Sequence, residues 1–187
     1  MAIGRDNQLY FAGSLDGGNS VFQRDPQTIS QLAGNINIDN YTNTSNSGGA
    51  KFAYFARMNP ATGILDQGQI FLTRRSNGEG NSFTVNAITA DANGRVYIGG
   101  QAAASLPDRD ELQINGTPVG PYSGFEGAVI AVSEDFQDRE LVGLWSGGNP
   151  SGSEVNGVAV FGDIRAMVST NAGTNMITVN PLQGTSG

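Results

Sequence analysis

The 187-residue chain contains no cysteine and no histidine. The first absence removes disulfides, thiolate nucleophiles and cysteine metal sites. The second removes imidazole bases and the commonest zinc and haem ligand. A Ser-His-Asp or Cys-His mechanism therefore cannot be assembled within this chain. Lysine occurs once, at Lys51, and tryptophan once, at Trp145. Basic residues number 10 against 17 acidic ones, a net charge of −7. An acidic surface without a basic patch repels phosphate backbones, which argues against a nucleic-acid partner. No apolar run approaches the roughly 20 residues of a membrane-spanning helix, so membrane insertion is not expected. The opening MAIGRDNQLYF carries charge where the apolar core of a signal peptide would lie.

What the chain has in quantity is glycine, 27 residues, together with many Asn, Ser and Thr. Gly and Asn supply the positive-φ positions of tight turns, so this composition suits many short strands joined by turns. The distribution of these residues is periodic. Asn86-Ala87-Ile88-Thr89 matches Asn156-Gly157-Val158-Ala159 at a shift of 70 residues, which also sets Arg95 on Arg165, Tyr97 on Met167 and Ala102 on Ala172. Tyr10 and Gly13 match Tyr97 and Gly100 at a shift of 87. AYFARM (53–58) matches AVIAVS (128–133), and each copy precedes a polar turn, NPATG (59–63) or EDFQD (134–138). Several runs recurring in one order at a long period indicate a repeat architecture.

Each run is short, rich in β-branched and aromatic residues, and bounded by Gly, Asn, Asp or Pro, which reads as strand. One complete unit contains four: FTVNAITAD (83–91), GRVYIGG (94–100), GFEGAVIAVS (124–133) and ELVGLWSGG (140–148). DANG (91–94) is a hairpin turn between the first two. The runs do not alternate cleanly with polar residues, as expected of strands covered on both faces. The expected fold is all-β: a β-propeller-like array of four-stranded antiparallel blades in an incomplete ring. The chain divides into part of a blade (1–80), a full blade (81–150) and part of another (151–187). The excess length of each unit is assigned to loops, Ser14–Ala50 in the first and Gln101–Phe125 in the second.

The middle unit resembles the bacterial β-propeller repeat family often called SBBP. DANGRVYIGG (91–100) stands for its Asp-x-x-Gly-Asn-Val-Tyr-Val-x-Gly phrase, SLPD (105–108) for its Phe-Pro segment, and GFEGAVIAV (124–132) for its third strand. LWSGG (144–148) stands for its Trp-Ser ending. The first unit lacks that ending, and the third has GDIRAM (162–167) in place of the opening phrase. The resemblance implies an extracellular or cell-surface location in bacteria and a non-enzymatic structural or binding role, with no catalytic residues to carry over.

About two and a half blades cannot close a ring, since closed propellers need four to eight. Two expectations follow. Either the chain is a piece of a longer protein, whose further blades cover its faces, or copies complete one another as a homo-oligomer, filament or surface layer. The leading functional expectation is a module offering loops to a protein or glycan partner. The rival is a glycan hydrolase or lyase using carboxylates, drawn from Glu126, Glu134, Asp135 and Asp138, with Tyr10, Tyr97, Arg57 and Arg95 on neighbouring strands.

No cofactor is expected. The candidate Ca²⁺ ligands are Asp108, Asp110 and Glu111 in PDRDE (107–111), which lacks the glycine and distal glutamate of an EF-hand; a solvated loop accounts for the same charges. GNINIDNYTNTSNSGGA (34–50) reads as a polar surface loop with sequon-like triplets at Asn40 and Asn43, and Asn115 begins another. Trp145 is expected to pack between blades.

Overall fold

The computed structural model describes residues 1–15, 35–38, 49–75, 77, 79–104, 113–114, 117–118, 125–136, 138–145 and 152–170. Among them the chain is all-β, with no helix. The first sheet contains β1 (Ala2–Ile3), β2 (Leu9–Leu15), β3 (Asn35–Ile38), β4 (Phe52–Met58) and β5 (Leu65–Phe71), in the order β1-β2-β4-β5-β3. A two-residue pair follows, β6 (Thr73–Arg74) with β7 (Gly80–Asn81). Next come β8 (Phe83–Ala90), β9 (Val96–Ala102), the short pair β10 (Gln113–Ile114) and β11 (Thr117–Pro118), then β12 (Glu126–Val132) and β13 (Arg139–Trp145). The second sheet runs β13-β12-β9-β8, a four-stranded antiparallel meander. The last hairpin pairs β14 (Glu154–Phe161) with β15 (Ile164–Thr170).

These sheets stack rather than close into a barrel, giving an incomplete, propeller-like array. The register shows how. Ile88, Ile98 and Ile130 lie side by side across the second sheet. With Phe83, Val96 and Val132 they form one core with Tyr10, Phe55 and Phe71 of the first sheet. Residues on alternate positions point the other way: Tyr97 and Ala131 pack on Val158 and Val160 of the last hairpin. The second sheet is thus covered on both faces, and β12 is buried at all seven positions. That is why EGAVIAV shows no polar alternation. A separate cluster, including Phe52, Tyr54, Ala56, Ile70 and Leu72, forms on the far face of the first sheet.

Close stacking demands small residues. A Cβ at Gly99 would lie 2.6 Å from Val158 Cγ2 and 2.7 Å from Val155 Cγ1. Gly99 therefore sets how near the last hairpin comes.

The equivalence of Tyr10 and Tyr97 holds in space. Each is fully buried and faces the next sheet in the stack. Three expectations need correction. The first-unit segment Ser14–Ala50 is not simply a loop: β2 runs on to Leu15, and β3 adds to the outer edge of β5 in parallel, Ile36 beside Gly68 and Ile38 beside Ile70. An open edge strand offers unpaired N–H and C=O groups that a later or earlier segment can take up, and β3 takes up those of β5.

The second correction is one of register. Ala90 pairs with Val96, whereas its counterpart Val160 pairs with Arg165. The last hairpin is one residue shorter, so Arg165 occupies the place of Val96, and Ala166 rather than Met167 that of Tyr97. A one-residue slip moves a side chain to the other face, and Met167 indeed shares Val158's pairing site.

The third concerns the turn EDFQD. It is not wholly polar: Phe136, at φ 60°, is fully buried against Phe55, ring centroids 5.3 Å apart. A non-glycine residue in the left-handed region costs about 1 kcal/mol, which burial of the ring offsets. The sequon-like triplets at Asn40, Asn43 and Asn115 lie outside the described residues, as do Trp145's side chain and the segment after residue 170.

Candidate functional site

In an antiparallel meander the turns after the first and third strands fall at one end. Here that rim gathers the turns 4–8, 59–64, 91–95, 133–138 and 162–163. Each is closed by local hydrogen bonds, for example Gly4 N–H to Gln8 O at 2.8 Å, Asn59 N–H to Ile64 O at 2.9 Å and Ser133 N–H to Asp138 O at 2.9 Å. Asn59 Oδ1 accepts from the N–H of Ala61, and Asp91 Oδ1 accepts from the N–H groups of Asn93 and Arg95. These Asx contacts explain why Asn and Asp recur where strands end.

A repeated polar lock ties the rim to the core. The Tyr10 hydroxyl donates to Asp6 Oδ2 at 2.6 Å, and the Tyr97 hydroxyl donates to Asp91 Oδ2 at 3.3 Å. Arg57 donates through Nη2 to Gln67 Oε1 at 2.6 Å and through Nη1 to the Glu134 carbonyl at 2.8 Å, joining the two sheets. Its guanidinium also lies 5.6 Å from the Phe136 ring centroid. Gln69 Nε2 donates to the Phe136 carbonyl at 2.9 Å. The turn of the middle unit closes directly on the first lock: Gly94, at φ +85°, faces Arg57 Nη1, Asp6 Oδ2 and the Tyr10 hydroxyl at 3.3–3.5 Å from where its Cβ would stand. Only glycine combines that φ with so little space.

Desolvation by burial, then the hydrogen bond to Asp6, raises the Tyr10 hydroxyl well above its ordinary value, with Arg57 opposing. Burial alone pushes Tyr54 up to about 12. Tyr10 is therefore a proton donor in a structural bond, not a phenolate base. The unfolded chain releases these protons near pH 10 and the folded chain at higher pH. The associated stability is complete below about pH 10 and is lost as pH rises toward the folded values. Urea midpoints should hold from neutral pH to about 9 and fall between about 10 and 12. Tyr10→Phe leaves Asp6 Oδ2 without its donor; it should cost about 1–2 kcal/mol at neutral pH and make the alkaline fall shallower.

The residues singled out for hydrolysis are brought together only in part: Glu134 and Arg95 border one cavity, but Glu126, Tyr10 and Arg57 do not line it. Tyr10 meets Arg57, and Arg95 lies 6.0 Å from the Tyr97 ring centroid, but the two pairs occupy successive layers. Glu126 is buried at the start of β12, while Glu134 follows its other end. At about 3.3 Å per residue they stand roughly 20 Å or more apart, too far for a carboxylate pair. Asp135 accepts from Ser133 Oγ at 2.6 Å within its own exposed turn, where Asp138 is also exposed. The candidate calcium ligands Asp108, Asp110 and Glu111 lie outside the described residues. Among the described residues, no group of three or more acidic side chains is disposed to hold a metal ion.

Beside the second lock the rim opens into a cavity of about 440 Å³, bordered by Arg5, Asp91, Asn93, Arg95, Glu134 and Asp163. Sequence reading singled out Glu134 and Arg95 but not Arg5, Asp6, Asp91 or Asp163. The available signal was the aspartate preceding each tyrosine, Asp6 before Tyr10 and Asp91 before Tyr97.

No family model, curated protein or solved structure matches the chain. The resemblance to the SBBP repeat therefore rests on the residues of the middle unit alone.

Proposed function

We propose that the chain is a β-propeller segment, of the kind its middle unit resembles, that serves as a non-enzymatic binding and structural module of a secreted or cell-surface bacterial protein. The observation that carries this reading is how the rim's polar groups are used. The Tyr10 and Tyr97 hydroxyls and the Arg57 guanidinium hold turns and sheets together, while the turns themselves face solvent. A rigid stack that presents short turns suits contact with a protein or glycan. Incubation of the purified chain with bacterial surface polysaccharides and matrix proteins tests it. Retention without turnover is expected; release of reducing ends from any polysaccharide overturns the non-enzymatic reading.

A second reading, self-assembly, is favoured by one specific feature. The outer face of the last hairpin exposes Phe161 and Ile164 at 65% and 66%. The corresponding face of the middle sheet is covered. If copies cover this face, sedimentation velocity over an about hundredfold concentration range should show growing species, and Ile164→Glu should abolish them. A monomer throughout that range excludes this route.

A further inference from the structure

We propose that the rim cavity between the middle unit and the last hairpin is a carbohydrate-binding site. The inference rests on the module reading above and gives it a ligand class and a location.

The cavity arises where the repeat is broken. At the first interface the middle unit's turn fills the space over its neighbour, with Gly94 against Asp6, Tyr10 and Arg57. At the next interface the equivalent lock is Asp91 with Tyr97, and the turn that should cover it is one residue shorter. There the structure holds an opening of about 440 Å³ instead of contact. That lies within the common range of ligand pockets, about 300–1,000 Å³, with room for roughly one or two sugar rings.

The lining selects the chemistry. Two arginines, Arg5 and Arg95, share the lining with three acidic residues, Asp91, Glu134 and Asp163, and with Asn93. A phosphate would meet the carboxylates, and a divalent cation would meet the guanidiniums. A neutral polyhydroxylated ligand meets only partners: carboxylates accept from its hydroxyls, guanidiniums donate in a planar fork, and the amide does both. Asp91 is fixed in advance by its bonds from Asn93, Arg95 and Tyr97, which lowers the ordering cost of binding. The Arg5 guanidinium lies 4.3 Å from the Phe161 ring centroid, a cation–π contact that helps hold this donor at the cavity.

The test is a titration of the isotope-labelled full chain, followed by amide NMR, with cellobiose, maltose and N,N′-diacetylchitobiose to about 20 mM, enough to saturate a millimolar site. At least one disaccharide should shift the amides of Ala92, Asn93 and Gly162 saturably. The double variant Arg5→Ala/Asp163→Ala should weaken that binding at least tenfold. Insertion of one glycine after Gly162, which restores the longer turn, should close the site and abolish the shifts while leaving the thermal midpoint unchanged. Saturable shifts at these amides from inorganic phosphate or CaCl₂ but from no disaccharide overturn the proposal, as does silence with all of them. Disaccharide shifts confined to other turns also overturn it, yet leave the module reading standing; that reading falls separately, on glycan turnover.

Discussion

Phe83→Ala should lower stability by about 3–5 kcal/mol, the ordinary cost of emptying a phenylalanine site in a core that collapses only in part. Phe83 is fully buried at the start of β8, and its ring meets Phe71 edge-on at 5.0 Å between centroids, across the interface of the first two sheets. Its backbone N–H donates to the Lys51 carbonyl of the first sheet at 3.2 Å, and Ser82 Oγ accepts from the Lys51 N–H at 2.8 Å. Loss of the ring therefore loosens the end of the stack opposite the rim, where Thr73 Oγ1 also donates to the Ser82 carbonyl at 2.9 Å. For a chain of this size the change corresponds to a fall in thermal midpoint of about 10 °C or more, read by circular dichroism. The control is Phe161→Ala. That ring is 65% exposed, so its removal should change stability by no more than about 0.5 kcal/mol. Equal effects from the two substitutions would contradict the stacking of the sheets.

Much of this architecture is legible in the sequence because its signals are local. The four runs of the middle unit fall on β8, β9, β12 and β13 with ends displaced by only a few residues. β-Branched runs and the Asp91–Gly94 turn need no distant information to be read. The features that escaped are those decided by neighbours. Asn35–Ile38 lies in an Asn-rich stretch, and its parallel pairing depends on the free edge of β5, more than 25 residues away. Phe136 sits among acidic residues, and only the aromatic surface of Phe55 on another sheet makes its burial favourable. The rim cavity was invisible for a similar reason. Arg5, Asp91 and Asp163 belong to three different turns, and a difference of one residue in hairpin length decides whether the space between them is filled.

Gly99→Val should detach the last hairpin while leaving the first two sheets folded. The new Cβ would stand 2.6 Å and 2.7 Å from the methyl groups of Val158 and Val155, well inside contact distance, and its two γ-carbons would reach further. The second sheet cannot yield, because its other face is packed on the first sheet through Ile88, Ile98 and Ile130. The hairpin must move, and a two-stranded hairpin without a packing partner is marginal in water. An overpacking penalty of about 1–3 kcal/mol therefore falls almost wholly on β14 and β15. Hydrogen exchange should rise about tenfold to a hundredfold across residues 154–170, with little change at β12 or β4. The Tyr97 side chain, fully buried in the native stack, should become accessible to solvent. Gly13→Val is the matched control: nothing lies within 4 Å of its Cβ position, and a β-branched residue suits an extended strand. Protection of the hairpin unchanged by Gly99→Val, or lost equally with Gly13→Val, would mean that close approach at Gly99 is not what holds the third layer in place.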